Sequence, residues 1–152
     1  MTIQQLSIFI ENRPGTLIRV LNVLKQAHIQ IIASTLADTA EYGIYRLICS
    51  NPQLALQALK ATDLPVMLSD VFAIELDDEP GRAADAVAAF TAAGINIAYM
   101  YSFLFHGKGI LILRTDQPDL TRQVIERNGM KFLSENELPY QAQNKGRLPC
   151  TY

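Results

Sequence analysis

Glu11-Asn12-Arg13-Pro14-Gly15-Thr16-Leu17 returns 66 positions later as Asp77-Asp78-Glu79-Pro80-Gly81. Sliding the chain by that offset aligns its halves without a gap. Ile8 falls on Ile74, Ala27 on Ala93, Ile29 on Ile95 and Ile31 on Ile97. Gly43 falls on Gly109, Ile44 on Ile110, Leu47 on Leu113, Pro52 on Pro118, Leu54 on Leu120 and Gln57 on Gln123. The matches include the prolines and glycines that punctuate structure. One offset through so many positions marks a duplicated domain, and two copies are too few for a solenoid.

One copy reads outward from its Pro-Gly loop. Gln4 to Ile10 predicts a strand, which Glu11 to Gly15 breaks. Asn12 suits a helix cap or a turn, and Pro14 suits a helix start. Leu17, Val20, Leu21, Leu24 and Ala27 share one helical face. Ile29 to Thr35 and Ile44 to Cys49 predict two strands joined by a turn from Asp38 to Gly43. Asn51-Pro52 opens a second helix, and Val66 to Leu68 gives a short closing strand.

The second copy follows the same plan. Val71 to Leu76 is its first strand, and Ala83, Ala86, Val87, Phe90 and Ala93 form its helix face. Ile95 to Phe105 and Gly109 to Leu113 are its paired strands. A helix from Pro118 to Asn128 and a strand from Lys131 to Leu133 close it. Right-handed βαβ connections turn this order into a ferredoxin-like fold. The expected class is α+β: two βαββαβ units in tandem, each a four-stranded antiparallel sheet with its helices on one face. The units are expected at residues 1–69 and 70–137. The tail 138–152 is polar from Pro139 on, lacks periodicity and receives no role. Units of about 65–70 residues bury too little surface to stand well alone, so each is expected to share an interface within the chain or with another chain.

Composition narrows the function classes. The net charge is −2 and no basic run occurs, which argues against nucleic acid as a partner. No run of 18 apolar residues predicts a membrane span, and the N-terminal residues do not read as a secretory signal. Cys49 and Cys150 form no CxxC, so a cytoplasmic protein is expected, with Cys49 packed in or near the core. His28 and His106 lie far apart with no ligand spacing, so neither a metal nor a cofactor is expected.

Several features have plain structural readings. The Pro-Gly loops make good helix starts regardless of any ligand. Asp77, Asp78 and Glu79 suit a helix N-terminus better than a catalytic or Mg²⁺ cluster. Tyr99, Tyr101, Phe103 and Phe105 alternate as a half-buried strand does, and a packing face fits them better than an aromatic ligand pocket. The same βαββαβ order serves RNA-binding domains, yet only Tyr45 is placed to stack a base. A small enzyme is the other alternative. No nucleophile–base pair, phosphate loop or metal cluster supports it, which leaves only Arg13, Arg82 and the carboxylates as raw material.

The loop with its apolar helix and Ile29-Gln30-Ile31 resembles the ACT domain pattern. The likeness is close to serine-sensing ACT domains and recurs in the second loop with Gly94-Ile95-Asn96-Ile97. Ser34 to Ile44 is similar to stand-alone bacterial proteins made of two ACT units. The resemblance covers roughly residues 3 to 135.

The resemblance implies a non-catalytic regulatory module that binds a free amino acid at an interface between ACT units and signals to a metabolic enzyme. It also implies a homodimer. Carried over by position, Asn12 and Gln30 are ligand contacts in the first unit, and Asp78 and Asn96 in the second. Pro14, Gly15, Thr16 and Leu17, with Pro80 and Gly81, form the loops that approach the ligand. Amides at a helix start favour a carboxylate, and an Asn12 or Asp78 oxygen can accept from an ammonium. Serine-sensing relatives carry a histidine where this chain has Ile10 and Leu76, and an asparagine where it has Gln30. Asp78 in place of Asn12 makes the two sites differ in charge.

Overall fold

A computed structural model describes residues 2–38 and 41–138. The first copy forms β1 (Ile3–Glu11), α1 (Thr16–Gln26), β2 (Ile31–Asp38), β3 (Tyr42–Cys49) and α2 (Pro52–Lys60). β4 (Val66–Leu76) leads on to α3 (Arg82–Ala92), β5 (Ile97–Phe105), β6 (Lys108–Thr115), α4 (Pro118–Arg127) and β7 (Lys131–Phe132). The expected short strand at Val66 and the next at Val71 are thus one strand of 11 residues. Ser69 and Asp70 read as a break, but extended backbone runs through them, since sheet formation asks only for a continuing ladder.

The chain divides into two compact units. One holds Gln4–Ser69 and is joined by the segment that begins at Glu135. The other holds Asp70–Ser134 and is joined by the residues up to Ile3. At one of these exchanges, Gln4 N donates to Glu135 Oε1 at 2.7 Å. Of the expected tail, all but Leu138 lies outside the described residues.

In the first unit the strand order is β2-β3-β1-β4. β1 and β2 both run antiparallel to β3, with Ile8 opposite Tyr45 and Leu36 opposite Tyr45 on the other side. The even-numbered residues of β1, Leu6, Ile8 and Ile10, meet Val20 and Leu24 of α1 and Ala55 and Leu59 of α2. Tyr45 joins this core at 6% exposure, so it presents no stacking surface to a base. Cys49 is in the same core, where burial pushes its thiol up to about 11 and withdraws it as a nucleophile at neutral pH.

The second unit repeats this order as β7-β4-β6-β5, with both neighbours of β4 antiparallel to it. Phe72 and Ile74 pack against Ala86 and Phe90 of α3 and Val124 and Ile125 of α4. Phe90 stands where Leu24 stands in the first unit, and both are fully buried. β4 and β6 are buried on both faces at Val71–Ile74 and Ile110–Leu113, which explains their unbroken apolar runs. Edge strand β5 alternates as expected. Tyr99, Tyr101, Phe103 and Phe105 are half-buried, while Met100 and Leu104 on the other face are exposed.

Both units end their first helix with a left-handed residue. Gly94 takes φ 71° in the second unit, whereas His28 at the same place in the first takes φ 55°. Only glycine enters that region without a Cβ penalty. His28→Gly should therefore stabilise the protein by about 0.5–1 kcal/mol. A urea midpoint that stays put or falls would contradict this reading.

Glu75 lies on β4 beside the β6 and β7 ends. Lys131 Nζ is 2.9 Å from its Oε2, and Lys108 bonds its other oxygen. Hydrogen bonds from these two ammonium groups hold the Glu75 carboxyl below its ordinary range. A carboxyl depressed in the folded state stabilises fully above its unfolded value, and that contribution disappears as pH falls through the folded one. Glu75→Gln should therefore lower stability at neutral pH, and the gap to the native chain should close on acidification below about pH 4. Denaturation curves over this range test it; a gap independent of pH would refute the assignment.

Candidate functional site

The Pro-Gly loops adopt the same backbone in both units. Gly15 and Gly81 take φ 94° and 93° immediately before α1 and α3. Each helix begins after this left-handed residue. Pro14 and Pro80 are therefore turn residues preceding the helix, not its first residues. Asn12 is not the cap either: Gly15 occupies the cap position, and no side chain caps α1 or α3. The first helical bonds are Arg19 N to Gly15 O at 3.3 Å and Asp85 N to Gly81 O at 3.0 Å. The amides just inside each start, Leu17 and Ile18 in one and Ala83 and Ala84 in the other, have no intrahelical acceptor. Uncapped amides at the positive end of a helix make a seat for an anion.

The side chains around the two loops differ. In the first, Thr16 Oγ1 donates to Glu11 O at 2.7 Å and Arg13 O at 2.9 Å, tying the loop to the end of β1. Arg13 pairs with Glu11 at 2.7 Å. In the second, Arg82 replaces Thr16 and pairs with Glu79 at 2.6 Å. The side chain of Leu17 packs against the core, so only its backbone faces the loop.

The predicted contacts do not gather within one unit. Asn12 N donates to Glu41 O at the beginning of β3. Gln30 lies past the far end of the same strand, where its N–H donates to Ser50 Oγ at 3.1 Å and its carbonyl accepts from Ser50 N. β3 has 8 residues, so Asn12 and Gln30 stand roughly 25 Å apart, at opposite ends of the sheet. The second unit repeats this: Asn96 bonds Asp116 beyond the end of β6, while Asp78 lies beside that strand's beginning. Asn12, Asp78, Gln30 and Asn96 are all exposed. Chain direction alone dictates the separation, because α1 runs back along the sheet between loop and second strand.

Behind the second loop lies a feature the motifs did not indicate. A cleft of about 480 Å³ is bounded by Asp77, Arg82, Asp85, Ala86 and the turn Asn128–Lys131. In the first unit Arg19 crosses the equivalent place, its Nη2 donating to Thr62 O at 2.8 Å. The offset pairs Arg19 with Asp85 and Thr62 with Asn128. That charge reversal was the available sequence signal.

Among the described residues, no group of three or more His, Cys, Asp and Glu could hold a metal ion. No helix among them is long and apolar enough to cross a membrane.

Comparison with known proteins follows the same lines. The chain is 34% identical to protein BT0572 from Bacteroides thetaiotaomicron, with a TM-score of 0.86 over 91% of this chain and 96% of that one. The ligand-free regulatory subunit of aspartate kinase from Thermus thermophilus shares the fold at 14% identity and a TM-score of 0.58, covering 82% of this chain and 91% of its own. The corresponding subunit from Thermus flavus gives 16% identity and 0.58, covering 82% and 90%. No curated protein sequence matches the chain. A family model described as an ACT domain pair matches residues 1–141, and the chain belongs to that family.

Proposed function

We propose that this protein is a non-catalytic regulator that binds a free amino acid and signals its presence to a metabolic enzyme. The observation that carries the reading is the doubled loop. Twice, a glycine at φ near 93° delivers an uncapped helix start beside an exposed Asn12 or Asp78. A zwitterion matches such a place: its carboxylate meets the amides and its ammonium a side-chain oxygen. The regulatory subunits of aspartate kinase that share this fold support a sensing role by analogy.

The wide separation of Asn12 from Gln30 gives the proposal a partner. A site using both needs a second ACT unit whose strands run the opposite way, and a second copy of the chain supplies one under two-fold symmetry. The ligand then biases assembly or its geometry, provided that it binds the two arrangements unequally.

Thermal shift with each of the twenty amino acids tests the reading. A ligand at about 100 times its dissociation constant adds about 2.7 kcal/mol of stability. The shift should fall in Asn12→Ala or Asp78→Ala. If no amino acid moves the melting temperature, amino-acid sensing is wrong; if both variants keep the full shift, the loops are not its site.

A further inference from the structure

We propose that the cleft behind the second Pro-Gly loop is a separate binding site for a small guanidinium compound. The first unit shows what the place accepts. There the guanidinium of Arg19 spans from α1 to the turn after α2 and donates to the carbonyl of Thr62 at 2.8 Å. The second unit keeps the backbone but exchanges the residue: Asp85 stands at the Arg19 position and Asn128 at the Thr62 position. A carboxylate stands in place of the Arg19 side chain, and a cleft of about 480 Å³ with Arg82 on its rim is open. That volume falls within the range of small-molecule sites.

The lining favours a cation. Asp77 and Asp85 both border the cleft. Arg82 is the cation nearest them, but its short contact is with Glu79 at 2.6 Å, while Asp85 Oδ2 lies 3.5 Å from Arg82 Nη1. That distance is the outer limit of a hydrogen bond and leaves most of the carboxylate's bonding capacity free. Lys131, also on the rim, is held by Glu75 at 2.9 Å. The turn Asn128–Lys131 follows the C-terminal end of α4, where the helix dipole adds negative potential. A planar guanidinium matches a carboxylate in two parallel bonds and can still donate sideways to a carbonyl, as Arg19 does in the first unit. Leu76, Ala86 and Met130 supply an apolar floor for the carbon chain that carries it.

Two sources share this chemistry: an amino acid with a guanidinium side chain, and the corresponding amine without a carboxylate. Calorimetric titration of the full chain with L-arginine, agmatine and norvaline separates them. L-arginine is expected to bind once per chain, with norvaline, which lacks the guanidinium, at least about tenfold weaker. Agmatine equal to arginine would assign the site to the bare cation. Agmatine weaker than arginine would show that a carboxylate engages the uncapped start of α3. Asp85→Arg re-creates the first unit's closure and should cut affinity for both cations by at least about tenfold; Asp85→Asn should weaken it with no change of shape. Arg19→Ala should leave binding unaltered, and urea midpoints establish that each variant is folded. Norvaline binding as tightly as arginine, no arginine binding, or unchanged affinity in Asp85→Arg would each overturn the proposal. Arginine binding lost in Asn12→Ala but kept in Asp85→Arg would move the ligand to the loop site, sparing the amino-acid reading and ending this one.

Discussion

Phe90→Ala should lower the free energy of unfolding by about 3–5 kcal/mol, and Leu24→Ala at the equivalent position by about 2–5 kcal/mol. Both side chains are fully buried, one in each unit's helix-facing core. Truncating either loses its transfer free energy and leaves a cavity that the surrounding strands cannot collapse into. Phe90 touches a core bounded by Ile74 and Leu113 on the sheet and Ile125 on α4, all themselves without exposure, so relaxation is restricted. A small domain has a total stability of about 5–15 kcal/mol, so either loss is a large fraction of it. Urea denaturation followed by circular dichroism measures the change. Phe90→Leu, which installs the residue of the first unit, should recover most of the loss, because Leu24 fills the same place there. A penalty for Phe90→Ala below about 1 kcal/mol would mean that this position is not a core knob.

That equivalence is legible in the sequence alone, because a repeat is a statement about spacing and needs no knowledge of packing. The apolar stretch of β1 and the 3–4 spacing of α1 are local patterns, and the structure packs Leu6, Ile8 and Ile10 against Val20 and Leu24. What escaped depended on geometry beyond a few residues. The break expected between Leu68 and Val71 vanished because Ser69 and Asp70 are tolerated inside an extended strand. Pro14 suits a helix start because its missing N–H costs nothing there, but the positive φ of Gly15 ends one conformation before the helix begins the next. The cleft at Asp85 was invisible to motif reading. A helix-start carboxylate looks ordinary until Arg19 in the other copy shows what the position otherwise does.

The wide spacing between Asn12 and Gln30 leads to an expected result that no single-chain site would give. If the amino acid is held by Asn12 of one copy and Gln30 of its partner, Asn12→Ala and Gln30→Ala should each weaken binding at the first-unit site by about tenfold to a hundredfold. That is the range for losing one hydrogen bond to a charged group. Mixing the two variants should rescue it. In a mixed dimer, one site combines both alanines, but the other combines the native Asn12 of the Gln30→Ala chain with the native Gln30 of the Asn12→Ala chain. Half of the native site number should then return at native affinity, with Asp78→Ala present in both chains to silence the second-unit loop. Calorimetry on the reconstituted mixed dimer reads stoichiometry and affinity together. A site assembled within one chain predicts no rescue, because every copy then carries one damaged contact. The sheet makes that alternative hard to build, since β3 separates the two residues by its whole length.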